Sequence, residues 1–163
     1  MNGSIGVPSG FRDILFEEAR ARRDVESALA QVFTRHGYGE VIPSSIEYFE
    51  TYQRGDKGMQ DRVYRFLNRD DVLLALRADF TLSIARIAAT RFADAPPPHR
   101  VWYCGNVFRK LDPTKGHYKE ITQIGAELLG VNSARSDVEV LQLALRCLDA
   151  LGVKDVQLHL NHA

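Results

Sequence analysis

The chain has 163 residues, 45% of them hydrophobic and 26% charged, and its 21 Lys and Arg balance 21 Asp and Glu to a formal charge of zero. That length suits one domain spanning 1–163 with its own core, residues 1–9 being flexible. Charge balance supplies no broad basic field for a phosphate backbone, so nucleic-acid binding is not expected. The five histidines are scattered with no metal-ligand spacing. Cys104 and Cys147 form no C-x-x-C pair and read as reduced, partly buried thiols. No apolar run is long enough for a membrane span and no signal pattern opens the chain, so a soluble cytoplasmic protein is expected.

In chain order, the first strong element is a helix from about Phe16 to His36. Val25, Ala28, Leu29, Val32 and Phe33 make one apolar stripe at helical spacing. Glu17 and Glu18 at its start and Arg35 and His36 at its end suit the helix dipole, and Gly37 is a left-handed stop. Glu18 with Arg22 and Arg22 with Glu26 are expected as exposed pairs. Val41-Ile42-Pro43 reads as a short strand, and Ser44 to Tyr52 as a short helix burying Ile46 and Phe49. Arg54-Gly55-Asp56 matches an adhesion tripeptide but lacks a secreted context, and the glycines mark a loop instead. Residues 63–67 and 72–76 form a hairpin around the turn at Asn68–Asp71, the second strand fully buried.

A helix from Leu82 to Phe92 follows, with Asp79 or Thr81 as its N-cap. Pro96, Pro97 and Pro98 make a rigid connector into a strand that starts at His99. Ser136 and Glu139 read as a capping box for a helix through Leu151, lined inside by Val138, Leu141, Leu145 and Leu148. Val156, Leu158 and Leu160 alternate as a last strand.

The stretch 102–130 carries the chemistry. An apolar strand ends at Arg109, a charged loop with Asp112, Pro113, Lys115 and Gly116 follows, and a second strand runs from Glu120 to Leu129. Alternation puts Gln123, Gly125 and Glu127 on one face, leaving a hole over the sheet at the glycine. Polar residues also close the preceding buried strand, from Arg77 to Thr81. The plain reading is a helix cap together with the wet face of an antiparallel sheet. The alternative is a small-ligand site, because an arginine beside carboxylates binds a zwitterion through its acid and its ammonium.

Four ordered phrases carry a resemblance: Gly10-Phe11-Arg12-Asp13-Ile14-Leu15, Leu76-Arg77-Ala78-Asp79-Phe80-Thr81, Phe108-Arg109 and Gln123-Ile124-Gly125-Ala126-Glu127. They resemble the catalytic domain of histidyl-tRNA synthetase, and more closely its paralogue family, the regulatory subunits of ATP phosphoribosyltransferase. The resemblance implies an α+β fold: a mostly antiparallel sheet flanked by helices, like the class II aminoacyl-tRNA synthetase catalytic core, ending before the family's motif 3. It covers roughly the first half of a full subunit.

The resemblance assigns Asp79 and Thr81 to the ammonium of free histidine, Arg109 to its carboxylate, and Gln123 and Glu127 to the rest of the histidine pocket. It also implies self-association through the motif 1 helix and strand, and a short-form ATP phosphoribosyltransferase catalytic subunit as partner. Where the synthetase reads F-R-x-E, this chain has Phe108-Arg109-Lys110-Leu111, and leucine accepts no hydrogen bond from adenine. The loop phrase G-R-Y-R-x-F-H-Q is replaced by Gly116-His117-Tyr118-Lys119-Glu120-Ile121-Thr122-Gln123. These departures imply a regulatory subunit of the histidine-biosynthesis pathway with no catalytic residue, metal or cofactor. The competing reading is a histidyl-tRNA synthetase catalytic fragment, and a third is a pure assembly module.

Overall fold

In the computed structural model, residues 5–55, 58–111 and 117–161 are described. The first helix, α1, spans Phe16–Arg35 and stops at His36, with Gly37 at φ +80 as the left-handed exit. Leu29 and Phe33 are its buried residues and meet Tyr38, Trp102 and Leu143 in one apolar cluster. Val25 is largely exposed, so the stripe is narrower than its spacing suggests. The expected helix pairs are exchanged for other partners. Glu18 binds Arg12 at 2.5 Å, Glu26 binds Arg23 at 2.6 Å, and Arg22 reaches Thr122 at 2.5 Å.

Strand β1 is Gly39–Glu40, parallel to the long strand β5, His99–Phe108. The Val41 N–H continues the ladder to the Trp102 carbonyl at 2.9 Å. The strand therefore lies two residues before the expected Val41–Pro43, because Pro43 has no N–H to extend it. The expected helix over 44–52 is split into strand β2, Ile46–Tyr48, and helix α2, Phe49–Gly55. Pairing with strand β4, Leu73–Leu76, overrides the helical pattern and turns Glu47 inward. There Glu47 accepts from Ser83 at 2.8 Å and from Arg86 at 2.7 and 2.8 Å.

Strand β3, Arg65–Leu67, completes a three-stranded sheet in the order β2-β4-β3. Asn68 shapes its turn by accepting the N–H groups of Asp70 and Val72, each at 2.9 Å. Strand β4 is central but not fully buried: Ala75 is enclosed while Leu73, on the same face at the strand's open end, is exposed.

Helix α3 spans Thr81–Arg91, and strand β6 spans Glu120–Leu129. Strands β5 and β6 pair antiparallel over their whole length, with Tyr103 opposite Gly125 and Gly105 opposite Gln123. One face of this hairpin, carrying Val101, Tyr103 and Val107, packs on Phe80 and Ile84. The opposite face, carrying Trp102, Cys104, Ile124 and Ala126, packs under α1 and helix α4, Ala134–Ala150. Burial pushes the half-buried Cys104 and Cys147 thiols up, and both are free.

Helix α4 starts one turn earlier than its predicted box. Ser133 and Ser136 cap it reciprocally, at 3.2 and 3.1 Å. Glu139 is committed elsewhere, held bidentate by Arg100 at 2.7 and 2.8 Å and by the Tyr38 hydroxyl at 3.0 Å. That anchor rotates the helix so that Leu143 is buried, whereas Val138 and Leu145 face outward. Val156, Leu158 and Leu160 form no strand and stand exposed, with no neighbouring strand pairing them among the described residues. No helix of the described residues is long and apolar enough to cross a membrane.

Candidate functional site

The site lies on the α3 side of the β5–β6 hairpin, where three segments distant in sequence meet. The first is the turn between β4 and α3. Asp79 Oδ1 accepts the Thr81 N–H at 2.7 Å, so Asp79 steadies the helix start from outside it. Neither Asp79 nor Thr81 is the N-cap, which is Phe80. This geometry leaves Asp79 Oδ2 facing Arg109 Nη2 at 3.7 Å.

Arg109 follows the last residue of β5. Its N–H donates to the Lys119 carbonyl at 2.8 Å, and its Nε donates to the Ala78 carbonyl at 2.9 Å. The guanidinium is thus aimed by backbone while its Nη2 faces Asp79. A carboxylate can bind that fork bidentately. Asp79, Thr81 and Arg109 line a cavity of about 460 Å³ together with Met59, Arg62, Leu82 and Leu111. The predicted loop residues Asp112, Pro113, Lys115 and Gly116 lie outside the described residues, as does Asp56.

The third segment is β6. Thr81 Oγ1 donates to Glu127 Oε1 at 3.1 Å, which brings the helix start against the strand. Gln123 and Glu127 do share a face, but the hole expected over Gly125 is filled. Tyr103, directly opposite, lays its ring there, so that a Cβ on residue 125 would stand 2.7 Å from the Tyr103 hydroxyl. The glycine makes room for a neighbouring aromatic ring and not for a ligand.

Tyr103 is the residue that motif reading misses. Its hydroxyl lies beside the Gln123 and Glu127 side chains. Burial first, then the charges of Glu127 and Asp79, push its phenol up from 10.0 to about 12. It therefore stays a neutral donor. Phe80 stacks on its ring with centroids 4.2 Å apart and planes 8° apart. The signal was cross-strand register: only when Tyr103 is known to face Gly125 does the pairing of aromatic and glycine become visible.

All five predicted residues therefore belong to one connected arrangement. Asp79, Thr81 and Arg109 line the cavity, Glu127 joins through Thr81, and Gln123 lies beside the Tyr103 hydroxyl. The Gln123 Oε1 atom is buried and accepts no hydrogen bond among the described residues. A buried acceptor without a donor costs about 1–3 kcal/mol. The cavity itself offers the Arg109 fork beside the Asp79 carboxylate and the Thr81 hydroxyl, which suits a ligand with a carboxylate and N–H donors. Among the described residues no group of three His, Cys, Asp or Glu is placed to hold a metal ion. Two larger clefts, of about 680 and 940 Å³, lie against α1 on the other side of the hairpin. Neither contains any of the five.

The sequence profile described as histidyl-tRNA synthetase matches residues 10–163. Curated relatives named ATP phosphoribosyltransferase regulatory subunit include one from Caldanaerobacter subterraneus, 36% identical over 98% of this chain and 41% of its own length. Another, from a Synechococcus species, is 38% identical over 93% of this chain and 38% of its own. The chain thus spans about 40% of the length of such relatives. Among solved structures, an ATP phosphoribosyltransferase regulatory subunit/histidyl-tRNA synthetase from Bacillus halodurans superposes with a TM-score of 0.86. It is 28% identical, and the match covers 93% of this chain and 39% of that one. The apo histidyl-tRNA synthetase of Staphylococcus aureus gives a TM-score of 0.79 at 25% identity, over 92% of this chain and 35% of its own.

Proposed function

The chain belongs to the histidyl-tRNA synthetase family, and on that premise we propose that it is a non-catalytic regulatory subunit of ATP phosphoribosyltransferase, with free histidine as its effector. Relatives bearing that name support the assignment to histidine biosynthesis. The observation that carries it is the composition of one cavity: Asp79, Thr81 and Arg109 line it, and Leu111 stands beside them. The amino-acid contacts are kept, while an apolar side chain occupies the place of the adenine acceptor. Leucine offers nothing to a base, so ATP loses a partner here that histidine does not need.

Regulation then follows from linkage. Histidine binds more tightly to the inhibited state of the complex with a short-form catalytic subunit, and so draws the complex toward that state. The same reading includes a cytoplasmic location and self-association through α1 and β1.

The test is calorimetry of histidine against the chain with its catalytic partner, alongside the phosphoribosyltransferase assay. Saturable binding, with inhibition that Arg109→Ala weakens by at least about tenfold, is expected from loss of a charge-assisted contact. No binding together with histidine-insensitive activity refutes the proposal. Histidine-dependent exchange of pyrophosphate into ATP would instead establish a synthetase. Partner activation and histidine inhibition that both survive Arg109→Ala would leave an assembly module.

A further inference from the structure

Arg77 has no part in lining the cavity, yet it is 4% exposed and among the few buried charged side chains of the described residues. Its guanidinium donates to main-chain carbonyls. Nη1 reaches Pro43 O at 2.9 Å and Ser44 O at 3.4 Å, while Nε and Nη2 reach Asn106 O at 3.2 and 2.9 Å. The Arg77 N–H also donates to Ser45 O at 2.8 Å, and the Phe108 N–H donates to Arg77 O at 2.7 Å. One residue thus ties the 43–45 segment to the end of β5, immediately before Arg109.

Two further contacts run from Arg77 toward the site. The guanidinium carbon lies 3.9 Å from the centroid of Phe80, which stacks on Tyr103, whose hydroxyl lies beside Gln123 and Glu127. The neighbouring Ala78 carbonyl receives Arg109 Nε at 2.9 Å. Gly105 is shaped to this column: a Cβ there would stand 3.1 Å from Arg77 Nη2 and 3.2 Å from Phe80 Cζ. A planar fork that holds three carbonyls and covers a ring cannot be replaced by an ammonium.

We infer that Arg77 is a positioning residue that couples the ligand site to the Pro43–Ser45 segment, so that occupancy of the site and the arrangement of that segment are one equilibrium. This rests on the histidine reading above. Ligand drawn onto Arg109 loads the route through Ala78, and the Tyr103–Phe80 stack along the same strand pair leans on the same guanidinium, so both converge on Arg77. The 43–45 segment also borders the large cleft against α1. Site occupancy would be reported there, on a different face of the hairpin.

The test uses histidine and the amide resonances of Ser44, Ser45 and Ile46 in the chain, followed by NMR, with calorimetric affinity and melting temperature measured in parallel. In the wild type, histidine is expected to shift these amides with the same midpoint as its binding. In Arg77→Lys, affinity should fall about tenfold, a coupling of ordinary allosteric size, and the amide shifts on saturation should vanish. Gly105→Ala keeps the arginine but crowds its fork, and should give a smaller loss of the same kind. It is the second variant should Arg77→Lys fold poorly.

A purely structural Arg77 would lower the melting temperature while leaving affinity within about twofold and the amide shifts intact, and that result overturns the inference. Wild-type binding with unshifted amides overturns it too, while the histidine reading stands. Absence of wild-type binding, alone and with the catalytic partner, overturns both.

Discussion

Gly125→Ala tests the geometry of the site floor directly. An added Cβ would stand 2.7 Å from the Tyr103 hydroxyl, 2.9 Å from its Cζ and 3.1 Å from its Cε2. Ordinary carbon contacts begin near 3.5 Å, so the ring must retreat by roughly half an ångström or more. It has little freedom to do so, because Phe80 is stacked on it at 4.2 Å and Arg77 covers Phe80 at 3.9 Å. Overpacking of this kind costs about 1–3 kcal/mol. Against it stands the stiffer unfolded chain that alanine gives, worth about 0.4–1 kcal/mol. The clash wins, and the net loss should be about 1–2 kcal/mol, or roughly 3–6 °C in melting temperature for a chain of this length. Urea unfolding at an unchanged m-value measures it. In a Tyr103→Phe background the closest atom is gone, and the alanine should cost at least about 0.5 kcal/mol less. A Gly125→Ala protein as stable as the parent, or equal costs in both backgrounds, would refute the account of why glycine stands there.

Three other outcomes follow from the same contacts. Tyr52 is fully buried and its hydroxyl accepts the Ala78 N–H at 3.0 Å, so Tyr52→Phe should lose about 1–3 kcal/mol in urea unfolding through an orphaned N–H. Tyr103 has a folded pKa raised from 10.0 to about 12, so its contribution to stability is full below pH 10 and is lost as pH rises toward 12. Tyr38 is likewise raised to about 12, so ultraviolet titration should show these two phenols ionising together near pH 12, and Tyr103→Phe should halve that late step. The Arg100 hydrogen bond holds the Glu139 carboxyl below its ordinary range. Its contribution is therefore present above that range and is lost as pH falls through it. Glu139→Gln should flatten the acid limb of stability against pH, measured by urea midpoints.

What was legible in the sequence is what depends on neighbours along the chain. The α1 stripe, the stop at Gly37 and the β5–β6 hairpin follow from local period and backbone preference. The five candidate residues were named through ordered motifs, each within a short phrase. What was missed depends on distant partners. Ser136 and Glu139 have the spacing of a capping box, but Arg100 and Tyr38 hold Glu139, and the cap passes to Ser133. The same anchor turns Leu143 inward, while Val138 and Leu145, expected inside, stand exposed. Ile46–Tyr48 forms a strand only because Leu74–Leu76 is there to pair with it. Val156 to Leu160 alternates as a strand does, but alternation without a partner gives no ladder.

The polarity of the cavity lining restricts what the site can hold. Arg109 keeps its Nε on the Ala78 carbonyl at 2.9 Å and its Nη2 3.7 Å from Asp79 Oδ2, so a cation and a carboxylate stand side by side in one lining. Thr81 Oγ1 is turned to Glu127 at 3.1 Å, which leaves its lone pairs rather than its proton for a ligand. Leu82 and Leu111 supply an apolar part of the lining and accept no hydrogen bond from a base. A ligand that carries a carboxylate for Arg109 and N–H groups for Asp79 satisfies both charges at once. That pairing, rather than cavity size, is what would select an amino acid over a nucleotide.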